Sequence, residues 1–491
     1  MAEATGLREM LHNRGYARLL VASAVIGVPI ALACFFFVSA QHQLQHWVWE
    51  TLPKKAGYDQ APWWWPLPAL LLAGLILAPI VTRMPGRGGH VPVHGLGGPV
   101  LGPRALPGVV LAAVATLPLG VVLGPEAPLM AVGSGLALLV LRPAQREAEP
   151  QAAMVLGTAG STAAISTILG GPVVAAVMML EAAGLAAPRI VILLLPCLLA
   201  SGVGALVFTG FGSWTGLSIG ALSLPEVPPP ASPDAGDFLW GVPLAVVLAF
   251  VVTSMHRIGR VTAAWTGRRT ALRTVLCAAA VGVLLAAYAL LTGRTPTEAA
   301  LSGQAGLAEL AAHPHSWSVG ALLVLVLCKG LAWGVCLGSL RGGPIFPAVL
   351  IGAAGGIAVS GLPGLGTTPA LAVGLVTAAA AITRLPVTSA VLAMLLLGPD
   401  AQQQMPLITV CAVVGFVTAE LLERPPGEPA AGPGAGDGAP DVPGAGPTGV
   451  AAQGADGTGG AAEGADGTGR GPGAGGGAAP MEDPRAEGGR P

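Results

Sequence analysis

The run Leu123-Gly124-Pro125-Glu126-Ala127-Pro128-Leu129-Met130-Ala131-Val132-Gly133-Ser134-Gly135 places one carboxylate, Glu126, in otherwise apolar surroundings. Its flanks, Val109 to Leu123 and Leu129 to Leu141, carry no charge. An ionisable group at membrane depth is costly, so it lines a polar cavity or pathway. Gly124, Pro125 and Pro128 mark a break in the chain. Proline has no N–H and fits the first turn of a new helix, where that donor lacks an intrahelical partner in any case. The implied element is an interrupted membrane helix whose N-terminus, with Glu126 beside it, faces a polar site.

The pattern recurs. Gly343, Pro344, Pro347 and Gly352 repeat the offsets of Gly124, Pro125, Pro128 and Gly133. Further on, Pro172-Val173-Val174-Ala175-Ala176-Val177 resembles Pro386-Val387-Thr388-Ser389-Ala390-Val391. Interrupted helices in corresponding positions of two halves point to a transporter site at a repeat interface.

Composition agrees with a membrane protein. Of 491 residues, 53% are hydrophobic and 10% charged, which excludes an ordinary soluble enzyme. The 73 glycines suit closely packed membrane helices, because small residues let backbones approach. A net charge of −1 gives no case for nucleic acid. Cys34, Cys197, Cys277, Cys328, Cys336 and Cys411 are scattered through apolar segments without a CxxC, and read as buried free thiols. Arg8, Arg14 and Arg18 precede the first span and no small-residue cleavage site follows them, so the expectation is a cytoplasmic N-terminus without a cleavable leader.

The expected organisation is an N-terminal cytoplasmic segment, 1–18, with a short amphipathic helix; a first membrane repeat, 19–210; an inter-repeat loop, 211–236; a second repeat, 237–424; and a disordered tail, 425–491, rich in Gly, Ala and Pro. Gln41 to Trp65 reads as a polar loop whose tryptophans form an interfacial belt. The Arg257–Arg273 cluster reads as cytoplasmic. Several predicted helices are too short to cross the roughly 30 Å hydrocarbon core alone, which is tolerated only where their ends are buried or face water.

These motifs resemble the CLC family of chloride channels and chloride/proton antiporters, over roughly residues 15–422. Gly124-Pro125-Glu126-Ala127-Pro128 with Gly133 is similar to the family's G-K/R-E-G-P…G. Gly342-Gly343-Pro344-Ile345-Phe346-Pro347 with Gly352 is similar to G-G-x-F-x-P…G. Gly88-Gly89-His90-Val91-Pro92 stands in the place of G-S-G-I-P, Pro172 to Glu181 in that of P-L-x-G-x-x-F-x-x-E, and Thr383 to Thr388 in that of T-R-x-P-x-T. The resemblance implies an all-α polytopic protein of two inverted repeats with short broken helices, acting as a homodimer in the cell membrane with both termini cytoplasmic. It implies an anion, chloride or a relative, held near the midplane by helix N-termini. The candidate anion-binding set is Gly88, Gly89, His90, Glu126, Ala127, Ile345 and Phe346. Glu126 is the implied gate, its carboxylate competing with the anion and swinging aside when protonated.

The departures from the family pattern bear on function. Its anion-coordinating Ser falls at Gly89 and the following Gly at His90. Its late Tyr has no counterpart, since the tyrosines are Tyr16, Tyr58 and Tyr288. Pro125 and Pro344 offer no N–H, so donation rests on Glu126, Ala127, Ile345 and Phe346, with His90 as a candidate substitute donor. The family's proton glutamate would follow Glu181, where this chain has Ala182; Leu395 stands where a second Glu is expected. Glu181 is read as a proton-handling or a structural residue. Lys329 is expected to pair with Glu126 or Glu181 or, more commonly, to snorkel to an interface. Arg384 is expected to cap or pair at a helix end. His42/His46 and His90/His94 have metal-like spacing but too few ligands for a structural zinc site, so no metal or cofactor is expected.

The leading reading is therefore CLC-type anion transport, not catalysis, with uncoupled conduction favoured over proton antiport. The alternative is a degenerate family member with a structural or regulatory role and little or no flux, supported by the two lost hydroxyl donors. An intramembrane enzyme finds no Ser/His pair or carboxylate cluster to carry it.

Overall fold

A computed structural model describes residues 12–95, 101–141, 150–184, 187–216, 224, 227, 232–398 and 401–423. All of them belong to one compact unit, residues 1–428. The N-terminal eleven residues and the tail 425–491 lie outside the described residues, as does most of the stretch joining the two halves.

The described elements are helices. The first half comprises α1 (Arg14–His46), α2 (Pro66–Arg83), α3 (Leu106–Thr116), α4 (Glu126–Leu141), α5 (Pro150–Ser166), α6 (Pro172–Ala183) and α7 (Ala187–Thr215). The second comprises α8 (Ala235–Thr266), α9 (Thr270–Thr292), a short α10 (Gln304–Ala312), α11 (Val319–Ser339), α12 (Ile345–Val359), α13 (Thr367–Thr383), α14 (Pro386–Leu397) and α15 (Ala401–Leu422).

Among the described residues, seven helical runs are long and apolar enough to cross a membrane. Large apolar side chains on their outer faces, such as Leu206 (75% exposed) and Leu421 (80%), suit lipid rather than water. By contrast α6 and α14 have 12 residues each, or about 18 Å of helix, and cannot span alone.

The two halves pack alike. α1, α5 and α7 form one group as α8, α13 and α15 form the other; α4 lies on α5 as α12 lies on α13, and α6 meets α14 across the halves. The same device closes both pairs. A Cβ at Gly133 would lie 2.2 Å from the Gly160 carbonyl oxygen, and one at Gly352 would lie 2.1 Å from the Gly374 oxygen. No side chain fits at these crossings, so the helices meet backbone to backbone.

Two expectations fail here. The segment from Gln41 is not a loop: α1 runs on through a π turn, Trp47–Thr51, and a short α turn, Leu52–Lys55. Nor do all its tryptophans form a belt. Trp49 is buried and its indole N–H donates to the Pro118 carbonyl at 2.9 Å, while Trp65 donates to Val48 at 3.1 Å. A buried indole needs such an acceptor, and here it seats α1 against the loop that leads into α4. Of the segment 1–18 expected to hold a surface helix, the first eleven residues lie outside the described ones, and residues 14–18 open α1, capped by the Asn13 side chain.

Candidate functional site

α3 stops at Thr116 and the chain runs without helix from Leu117 to Pro125 before α4 begins at Glu126. In the other half α11 stops at Ser339, and Leu340 to Pro344 lead into α12 at Ile345. These two unwound segments meet. Gly124 and Gly343, the repeat-equivalent glycines, exchange both backbone hydrogen bonds in antiparallel sense, at 2.8 and 2.5 Å. Thr116 Oγ1 adds a bond to the Arg341 carbonyl at 3.1 Å.

The Glu126 carboxylate lies on this glycine pair. A Cβ would fall 1.8 Å from its Oε2 at Gly343 and 2.1 Å at Gly124, so a side chain at either position displaces it. The residue is fully buried. Oε1 accepts the Phe346 N–H at 2.9 Å, and the N–H groups of Ile345 and of Glu126 itself also face the carboxylate. Among the described residues Oε2 has no hydrogen-bond partner. A helix N-terminus leaves N–H groups unpaired and carries about half a positive charge, which makes it a site for anions. The N-terminus of α12 holds a carboxylate from the opposite half in that position. Ala127, half-buried in the first turn of α4, is not among the donors to this carboxylate. Pro128 and Pro347 stand in the first turns of α4 and α12, where a missing N–H costs nothing.

Gly88, Gly89 and His90 lie in a tight loop after α2. Gly88 (φ +76°) and Gly89 (φ +100°) adopt backbone that other residues reach only at a cost. Gly88 is buried, while Gly89 and His90 are half-buried. The loop is joined to the Gly342–Gly343 turn by Arg341, whose Nε donates to the Arg87 carbonyl at 3.1 Å. Sequence reasoning missed Arg341. Its signal was a lone charge between an apolar helix and a Gly-Gly-Pro break.

Glu181 stands apart from Glu126. It leaves α6 to cap α14: Oε1 accepts Val387 N–H at 3.0 Å, and Oε2 accepts Thr388 N–H at 2.8 Å and Thr388 Oγ1 at 2.7 Å. Proline at the start of α14 leaves its next N–H groups free for an acidic cap.

Lys329 neither pairs with a glutamate nor snorkels. It is fully buried and donates to the carbonyls of Ala299, Ala300 and Leu301 at 2.9, 3.0 and 3.2 Å. The clamp holds a turn in which Leu301 has φ +63° and donates to Gly120 O, beside the unwound approach to α4. Arg384 closes α13 and pairs with Glu420 (3.3 Å) and Glu423 (3.2 Å) at the end of α15. His46 pairs with Glu50 at 3.3 Å. Among the described residues no group of three or more His, Cys, Asp or Glu could hold a metal ion.

A family model described as "Voltage gated chloride channel" matches residues 91–420. The chain belongs to this family. CLC members are transporters and channels rather than enzymes, so the activity at family level is anion transport by a multi-pass membrane protein. Among relatives, YfeO of Escherichia coli (strain SE11), a protein named for ion transport, is 27% identical over 354 residues, which is 71% of this chain and 81% of YfeO. YfeO of Shigella boydii serotype 18 matches to the same extent. Two solved structures share the fold. A slow cyanobacterial Cl−/H+ antiporter superposes with TM-score 0.66 at 18% identity, covering 82% of this chain and 95% of that one. A CLC-type fluoride/proton antiporter superposes with TM-score 0.64 at 18% identity, covering 82% and 96%.

Proposed function

We propose that this CLC-family chain carries a small monovalent anion, chloride or a close relative, past the junction of α4 and α12, and that Glu126 gates it. The observation that carries the reading is the Phe346 N–H bound to Glu126 Oε1. An N-terminus that accepts a carboxylate accepts chloride for the same electrostatic reason. Movement of Glu126 off the Gly124–Gly343 pair exposes the donors of Ile345 and Phe346, so the carboxylate and the anion compete for one place. Protonation removes the charge that holds Glu126 there and favours its release.

Transport without proton exchange is the reading we favour. The residue after Glu181 is Ala182, and Glu181 is engaged in capping α14. The working unit is proposed to be a homodimer in the cell membrane, with both termini on the cytoplasmic side. The two repeats, 19–210 and 237–424, are proposed to meet around this site.

Chloride efflux from liposomes containing the purified protein, with external pH recorded in the same trace, tests this. Efflux without proton movement is expected. Efflux with opposed proton movement would make the chain an antiporter, with a proton route that bypasses Ala182. No efflux of chloride, nitrate or fluoride would overturn the transport reading in favour of a family member without flux.

A further inference from the structure

Arg341 is 8% exposed, and its side chain packs against Gly88 in the loop of candidate binding residues. It stands two residues before Gly343, on which Glu126 Oε2 rests, and two residues of extended chain span at most about 7 Å. A guanidinium has five N–H groups. One, on Nε, donates to Arg87 O and one, on Nη1, donates to Leu340 O at 3.0 Å, which leaves three without a protein acceptor among the described residues. No described carboxylate lies within 4.0 Å of it: the ion pairs involve other cations throughout. A buried charge without a counter-charge is strongly unfavourable. Both protein acceptors here are neutral carbonyls.

Two residues on in the same turn, Gly343 seats a second unpartnered group, the buried Oε2 of Glu126, which has no hydrogen-bond partner among the described residues. The turn from Leu340 to Pro344 thus carries a cation without a counter-charge at Arg341 and, two residues on at Gly343, the seat of the Glu126 carboxylate. We infer that Arg341 is an anion-coordinating residue of this chain, supplying from its side chain the charge and donors that Gly89 and the absent late tyrosine do not. The ligand class is a small monovalent inorganic anion. The remaining donors of the planar fork also fit a planar oxyanion such as nitrate, which a hydroxyl would not discriminate. The inference rests on the proposed transport site and deepens it.

The test is chloride and nitrate binding to the purified protein by calorimetry, with flux in liposomes, for the wild type, Arg341→Lys and Arg341→Gln. A direct charged hydrogen bond predicts that Arg341→Gln weakens chloride about tenfold or more. Arg341→Lys is expected to retain chloride better than Gln and to lose any preference for nitrate. Chloride affinity unchanged in a folded Arg341→Gln protein would overturn the inference while leaving the transport reading intact. Absence of binding and flux in the wild type would overturn both. Should Arg341→Gln not fold, bromide located by anomalous scattering in wild-type crystals decides. Bromide at hydrogen-bonding distance from the guanidinium is expected, and bromide bound only at sites away from it would refute the role.

Discussion

Replacing Glu181 separates a structural carboxylate from one that moves protons. Its two oxygens accept three hydrogen bonds at 2.7 to 3.0 Å from the first turn of α14. Well-sheltered bonds to an ionised acceptor are worth about 1.5–3 kcal/mol each. Partial exposure lowers that sum, and an N-cap contributes about 0.5–2 kcal/mol with about 0.3–1 kcal/mol more from the helix dipole. Glu181→Ala should therefore cost about 2–3 kcal/mol of stability. Glu181→Gln should cost about half as much, because its amide can keep the two bonds from Thr388 but then sets an NH2 group against the Val387 N–H. Unfolding in detergent, followed by tryptophan fluorescence, reads the stability. Chloride flux per folded molecule reads the function and should stay within about twofold of the wild type. Flux that collapses in a Glu181→Gln protein of unchanged stability would refute the capping argument and make Glu181 a transport residue.

Three further outcomes follow from contacts of the same kind. Gly352→Ala forces a methyl to 2.1 Å from the Gly374 carbonyl oxygen, and Gly133→Ala to 2.2 Å from that of Gly160; each should cost more than about 3 kcal/mol and is checked by the yield of monodisperse protein on size exclusion. Lys329→Met leaves three buried carbonyls without their donor, and should destabilise by about 3–5 kcal/mol in the same unfolding assay. His256 Nδ1 meets Glu423 Oε1 at 3.1 Å and Nε2 meets Val93 O at 2.9 Å. These two bonds tie the loop after α2 to the end of α15, so His256→Ala should loosen that loop, read as faster hydrogen exchange of residues 91–95.

The membrane class, the broken helices and the pairing of the two halves were legible because glycine, proline and charge are local signals. Gly124 and Gly343 stand out by offset alone, and they turn out to touch. The α12 N-terminus as the partner of Glu126 was legible only through the family resemblance, since no local pattern tells which of two helix ends a carboxylate serves. The segment 41–55 was misread because its polar and aromatic residues look like an interface, whereas Trp49 is buried by a loop 69 residues away. Lys329 was misread for a related reason. Snorkelling is the default for an isolated lysine in an apolar run, and three carbonyls turned into the core from a distant turn are invisible in sequence. Arg341 was passed over because it sits at a boundary, where arginine is usually a solvated end.

Glu126 is proposed to occupy the position an anion must take. The direct measurement is chloride efflux from liposomes at acidic and at neutral pH, wild type against Glu126→Ala. Efflux from the wild type should rise on acidification, and efflux from Glu126→Ala should be at least as fast and indifferent to pH. A Glu126→Ala protein that is folded and still shows the wild-type rate and pH dependence would contradict that proposal.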